Sequence, residues 1–353
     1  SSYVYSGIFD GQNHSISGLY VNNSSRGNFG LFGYVDNGTV KNIGMVNFSY
    51  TIGSASDARA GSVAGQVLTG GTIENCYSIG HSVTTNSNIA GGIAGCNYGG
   101  TIRNCYAYNG SVSGYNDRWG GVVGDCKKDS TAPNLAQTYG TVSNCYTDDE
   151  RVASTQNNSA NITNCAVKDD AAFASGEVAY LLNGSSSENV TWYQKLLTDT
   201  YPVLDSKHGK VYYGYVDCQS QDKIYANTEL SKDKPEHSWK CEPDEANTNK
   251  MTFSCTTDGC TKGGTITVIG PKDATYNGSN HSATVSVETK ENEELIAAPE
   301  ITYTSLTEGV ELVNGKPVNA GTYKASITLG EVTAYDEFEI AKATPNIGAV
   351  SAS

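Results

Sequence analysis

Cys218, His237, Cys241, Cys255 and Cys260 form the one group whose residue types and spacing suggest metal chemistry. Three thiolates and an imidazole suit a tetrahedral zinc ion, and a polar segment with few apolar residues gains from such a staple. The preferred ligands are Cys218, His237, Cys255 and Cys260, the last two in a Cys-x4-Cys spacing, with Cys241 as the alternate. Disulfides among four of these thiols are the competing reading, because an exported chain meets oxidising conditions. Either would be structural. A catalytic zinc wants an open position and a nearby general base, and nothing in this segment specifies them.

Aromatic side chains are the second candidate. Tyr20, Tyr77, Tyr106 and Tyr146 each follow the same apolar slot of a repeated unit, with Gly44 at the missing place, and Trp119, Tyr98, Tyr108 and Tyr115 lie in the same stretch. An exposed column of rings stacks on sugars; a self-stacking ladder that steadies neighbouring strands is the plainer reading. Carboxylates offer less. The slot where a polysaccharide-cleaving β-helix would carry facing acids holds Lys41, Glu74, Arg103, Ser143 and Thr163, a mixed, solvated face. Asp148-Asp149-Glu150 and Asp169-Asp170 fall in loops, where solvated turns compete with calcium binding. The histidines are scattered, and no glycine-rich segment reads strand–GxGxxG–helix, so the glycines are turns.

The elements that must position these residues are repeats. Thr39-Val40-Lys41-Asn42-Ile43, Thr72-Ile73-Glu74-Asn75-Cys76, Thr101-Ile102-Arg103-Asn104-Cys105, Thr141-Val142-Ser143-Asn144-Cys145 and Asn161-Ile162-Thr163-Asn164-Cys165 superimpose without gaps. Ser15-Ile16-Ser17-Gly18-Leu19 is read as a weaker sixth. Gly30-Leu31-Phe32-Gly33, Ser62-Val63-Ala64-Gly65, Gly92-Ile93-Ala94-Gly95 and Gly121-Val122-Val123-Gly124 interleave with them in constant order. Units this short bury their apolar residues only by coiling, each strand pairing with its counterpart one rung away. The two apolar slots stand three apart, which a straight strand would put on opposite faces. A bend at the intervening Asn, or Gly18, is therefore expected, in the left-handed conformation those residues tolerate. Cys76, Cys105, Cys145 and Cys165 then face the interior as free thiols, because in-register side chains run parallel; whether Cys96 and Cys126 pair stays open.

These units, with Gly7-Ile8-Phe9-Asp10-Gly11-Gln12-Asn13-His14-Ser15-Ile16, resemble the GLUG repeats of bacterial surface proteins. The resemblance implies a β-solenoid over residues 1–170 in an exported, multi-domain protein, and no particular reaction. Ala171–Asn183 reads as a helix stopped by Gly184, so 171–209 is expected to cap the solenoid. Residues 210–262 form the small Cys/His module. Short alternating strands follow over 263–345, with a tight turn at Tyr276-Asn277-Gly278. There Asn319-Ala320-Gly321-Thr322-Tyr323 and Phe338-Glu339-Ile340-Ala341-Lys342-Ala343 resemble bacterial immunoglobulin-like domains of the MBG type, which implies an Ig-like β-sandwich used as a spacer. Residues 346–353 read as a linker.

Composition fits this all-β architecture. The 353 residues include 39 Gly and only 2 Met, and 23 basic against 37 acidic residues leave a net charge of −14. Such a surface repels phosphate backbones and anionic lipid, and no apolar run reaches the length of a membrane span. The chain is read as a monomeric, non-catalytic piece of a longer bacterial cell-surface or secreted protein. Its expected partner is a host or environmental glycan or a surface protein, and its only expected cofactor is structural zinc. A polysaccharide-active β-helix enzyme or its accessory module is the alternative, and a purely structural stalk is the next.

Overall fold

The computed structural model describes residues 4–53, 57–86, 88–127, 139–154, 161–289, 293 and 295–344. The expected linker 346–353 and residues 128–138 lie outside the described residues. Two compact units divide the chain: residues 1–214 with 224–230, and residues 215–223 with 231–353.

The first unit is a parallel β-solenoid. One rung runs Thr39–Val46, Ser49–Ile52, Arg59–Ala60 and Ala64–Val67, and each strand pairs in parallel with its counterparts on the rungs before and after. The repeats stack in the expected register: Ile73 lies opposite Val40 and Ile102, Val142 opposite Ile102 and Ile162, and Cys105 opposite Cys145. Val40, Ile73, Ile102, Val142, Cys76, Cys105 and Cys145 are fully buried in one core. The bend between the slots lies at Asn42, Asn75, Asn104, Asn144 and Asn164, with φ of 50–55°. Their side chains also bond along the stack. Asn75 Nδ2 donates to Asn42 Oδ1 at 3.3 Å, Asn104 to Asn75 at 3.4 Å and Asn144 to Asn104 at 3.1 Å. One residue type thus supplies both the left-handed corner and its cross-rung bonds.

The first rung departs from expectation. Phe9 lies opposite Val40 and His14 opposite Ile43, whereas Ile16 lies opposite Met45. Two extra residues, Gln12 and Asn13, both at positive φ, bulge out of Ile8–Ser17 and displace the register. Gly18 imitated the Asn corner because it too is left-handed, at φ 71°. It occupies the next corner instead: Gly18 donates to Val46 O as Asn47 donates to Ile79 O and Gly80 to Tyr108 O.

The segment expected as one capping helix is two short ones, Asp170–Ala174 and Glu177–Leu182. They part at Gly176, whose φ is 92° and where a Cβ would lie 2.8 Å from Leu196 Cδ2. Asp169 caps the first, accepting from Ala172 N at 2.8 Å. This segment covers the flank of the solenoid. Phe173, Val178, Leu182, Trp192 and Leu204 pack on Tyr77, Ile79, Tyr106, Tyr108 and Tyr146. The last rung, by contrast, leaves Ile162 37 % and Val167 47 % exposed.

In the second unit, Trp239–Pro243, Lys250–Cys255, Gly263–Ile269 and Thr284–Thr289 form an antiparallel sheet. Ala274–Thr275, Val332–Ala341, Gly321–Leu329 and Thr302–Ser305 form another, in which Ala274–Thr275 pairs in parallel. Residues of both sheets share one core, with Met251, Phe253, Ile266, Val268, Tyr323, Ile327 and Ile340 buried. The cysteine-bearing hairpin therefore continues the first sheet across the boundary expected at 262: Lys250–Cys255 pairs directly with Gly263–Ile269. The other expected boundary, at 210, falls between elements, but the strand pair that follows it, Tyr212–Gly214 with Ile224–Ala226, belongs to the first unit.

Candidate metal centre

Each of the four preferred ligands is delivered by a different local device in the second unit. Cys218 sits in a turn pinned by Asp217, whose Oδ1 accepts from the amides of Gln219 at 2.8 Å and Ser220 at 2.9 Å. His237 precedes the strand Trp239–Pro243, and its ring stacks on Trp239 with centroids 4.9 Å apart. Cys255 ends the strand Lys250–Cys255. A turn closed by Cys260 N donating to Thr257 O at 3.0 Å, with Gly259 at φ 76°, returns Cys260 to the same point.

The ligand atoms of Cys218, His237, Cys255 and Cys260 all lie within 4.8 Å of one another. Cys218 Sγ is 3.8 Å from Cys255 Sγ, His237 Nδ1 is 3.4 Å from Cys255 Sγ, and Cys260 Sγ is 3.6 Å from His237 Nδ1. Zinc bonds of about 2.3 Å to sulfur and about 2.0 Å to nitrogen give a tetrahedron edges of roughly 3.5–3.8 Å, and these three separations fall close to that range. A cation held by these side chains would have all four positions filled. Cys255 already has thiolate character: burial opposes it, but hydrogen bonding from Thr257 and His237 holds its thiol down to about 6. Burial, with Cys218 and Cys255 alongside, pushes Cys260 up to about 12. The ion would have to displace that proton.

Cys241, the alternate, is not part of the cluster. It lies opposite Phe253 in the hairpin and packs against the second unit's core. In this structure none of the ten cysteines, Cys96 and Cys126 included, is joined in a disulfide, and Cys218 Sγ and Cys255 Sγ stand 3.8 Å apart, well beyond an S–S bond of about 2.05 Å. Two contributors escaped the sequence reading. Trp239 braces the imidazole and could have been found, since it stands two residues from His237 and so on the same face of an extended chain. Thr257 carries no such signal, because its bond to Cys255 depends on the turn.

The aromatic column is brought together but closed to ligands. Tyr77 lies opposite Gly44 and Tyr106, and Tyr106 opposite Tyr146. A Cβ at Gly44 would fall 2.1 Å from Tyr77 Cζ, so the missing rung is the space the ring fills. Tyr77 and Tyr106 stack at 5.6 Å with planes 9° apart, and Trp192 meets Tyr106 edge-on at 5.3 Å. Tyr106 is fully buried, and its hydroxyl donates to Pro202 O at 2.6 Å. Tyr77, Tyr106 and Tyr146 are thus corrected from a sugar platform to the footing of the flanking helices. Tyr20 is not in the column at all. It belongs to Tyr20–Asn23, opposite Ser49, and is 65 % exposed. Trp119 lies apart from it too, with the Arg151 guanidinium over its ring at 4.2 Å, where a sugar would have to stack.

The acidic loops are occupied structurally. Asp148 accepts from Asn109 N, Asp149 faces His81, Asp169 caps a helix and Asp170 accepts from Tyr108 Oη. The mixed-charge slot pairs with itself, Lys41 with Asp10 and Arg103 with Glu74. Among the described residues no helix is long and apolar enough to cross a membrane. Compared with known proteins, the chain matches no family model, no curated protein and no solved structure.

Proposed function

We propose that this chain is a non-catalytic scaffold of a bacterial cell-surface or secreted protein, in which a closed structural zinc centre holds the loops of the C-terminal unit. The convergence of one imidazole and three thiols within 4.8 Å carries this reading, because four protein ligands leave no position for a substrate. Resemblance to GLUG repeats supports a display role for the solenoid. Resemblance to MBG-type domains supports an Ig-like spacer, and Tyr323 adds to it. This buried tyrosine donates its hydroxyl to Asn319 O, four residues upstream, at 2.7 Å, as the tyrosine corner of Ig-like sandwiches does. A glycan or surface-protein partner would meet the solenoid's exposed faces, where Tyr20 is 65 % and Tyr115 53 % accessible.

Elemental analysis of the purified chain, joined to a glycan array and a reducing-sugar assay, tests the proposal. One zinc per chain and binding without sugar release are expected. Release of reducing ends, or a metal-free chain with its thiols paired as disulfides, would overturn it.

A further inference from the structure

The four solenoid thiols form a second, differently shaped sulfur site. Cys76 stands opposite Cys105, Cys105 opposite Cys145 and Cys145 opposite Cys165 on consecutive rungs. Each sulfur repeats the same two contacts. It lies 3.1–3.2 Å from the carbonyl two residues back, at Glu74, Arg103, Ser143 and Thr163. It also lies 3.6–4.0 Å from the carbonyl of the apolar residue one rung before, at Val40, Ile73, Ile102 and Val142. Equivalent contacts mean that the sulfurs repeat with the strands, at about 4.8 Å. The side chains run parallel, and sulfurs that far apart suit no disulfide.

That gap is about twice a metal–sulfur bond of roughly 2.3 Å, so a cation midway between two sulfurs would be bound in a straight line. Linear coordination by two sulfurs is a preference of soft monovalent d10 cations, and zinc, which takes four ligands, finds only two here. We propose that this thiol column is a binding site for copper(I) or silver(I), filled from the Cys165 end. Cys165 is half-buried on the exposed last rung, whereas Cys76, Cys105 and Cys145 are buried. On binding, two S–H bonds break, two sulfur–metal bonds form, and two protons leave to solvent. The resulting dithiolate complex carries one negative charge. Backbone amides meet part of it: Cys145 N donates to Cys165 Sγ and Cys76 N to Cys105 Sγ, each at 3.4 Å.

The test uses the zinc-loaded full chain, with silver(I) as a redox-inert probe and copper(I) supplied anaerobically. Native mass spectrometry counts the ions, alkylation of each cysteine maps them, and circular dichroism follows the solenoid. At least one cation should be retained with zinc still bound, with Cys145 and Cys165 protected and the β signal unchanged. Cys165→Ser, a change at the exposed edge that spares the core, should weaken retention by on the order of a hundredfold, at least the loss seen when an outer-shell partner of a metal ligand is removed. Cys145→Ala should do the same. Protection confined to Cys218, Cys255 and Cys260, binding that costs the β signal, or unchanged retention in Cys165→Ser would overturn the proposal.

Discussion

Along the solenoid, cysteine fills a slot that also takes Ile43 and His14, whereas in the C-terminal unit three cysteines and a histidine point at one another. The difference lies in how the backbone delivers them. Parallel stacking repeats one direction for every side chain, so thiols on successive rungs never converge. A hairpin end, a tight turn and a separate loop approach from different directions, so four ligand atoms can meet at one point. Stacking sets sulfurs in a row, where no more than two can face one point between rungs; convergence brings four ligand atoms within 4.8 Å of one another.

The largest test of this contrast removes one member from each set. Cys255→Ser should abolish the bound zinc, whose binding to such sites carries on the order of 10 kcal/mol near neutral pH. Amide exchange should rise in 215–223, 236–242 and 255–262, while the core around Ile266, Tyr323 and Ile340 stays protected, because it is built of apolar contacts. Cys105→Ser should leave the zinc count unchanged and cost the solenoid about 1–3 kcal/mol by placing a hydroxyl in a fully buried apolar core. Zinc loss in the second variant, or its retention in the first, would erase the distinction.

Next in size is the flank. Tyr106→Ala should destabilise the solenoid by about 3–5 kcal/mol, since it removes a fully buried ring that meets Tyr77, Phe173 and Trp192. Thermal melting followed by Trp192 fluorescence measures it. A loss below about 1 kcal/mol would mean that the helices hold on without the column.

What the sequence disclosed follows the same division. The rungs were legible from Asn104 and its equivalents, because a left-handed corner selects its residue type locally. The ligand set was legible because only four side chains of the right chemistry were spare once Cys241 is placed in its strand. The first rung was misread because Gln12 and Asn13 bulge without altering the pattern around Ile16, and two corners of the coil accept glycine alike. The fate of the tyrosines was hidden for a different reason. Alternation shows that Tyr106 faces outward, but nothing local says that Trp192 and Phe173 fold back over it.

The Asn column gives a smaller effect. Asn104→Ala should cost about 1–2 kcal/mol, combining left-handed strain with the loss of bonds to Asn75 and Asn144. Asn104→Gly should recover most of the strain but none of the bonds. Urea titration of both variants separates the two contributions, and equal losses would show that the ladder, not the corner, is what matters.

The smallest effect asks how the solenoid treats charge where it tolerates uncharged polar groups. Burial raises the Asp148 carboxyl above its ordinary value, outweighing the hydrogen bond from Asn109 N, and one of its oxygens is buried without a partner. A raised carboxyl favours the protonated form in the folded state. The penalty is therefore full above the raised value, shrinks as pH falls through it, and is gone below the unfolded value of 3.8. Asp148→Asn keeps an oxygen for the Asn109 amide and removes the charge. It should stabilise the solenoid at pH 7 by a few tenths of a kcal/mol, since the group is only part-buried and solvent screens it. The melting difference between variant and parent should then vanish near pH 3, and a constant difference across that range would mean that the carboxylate is not disfavoured by its charge.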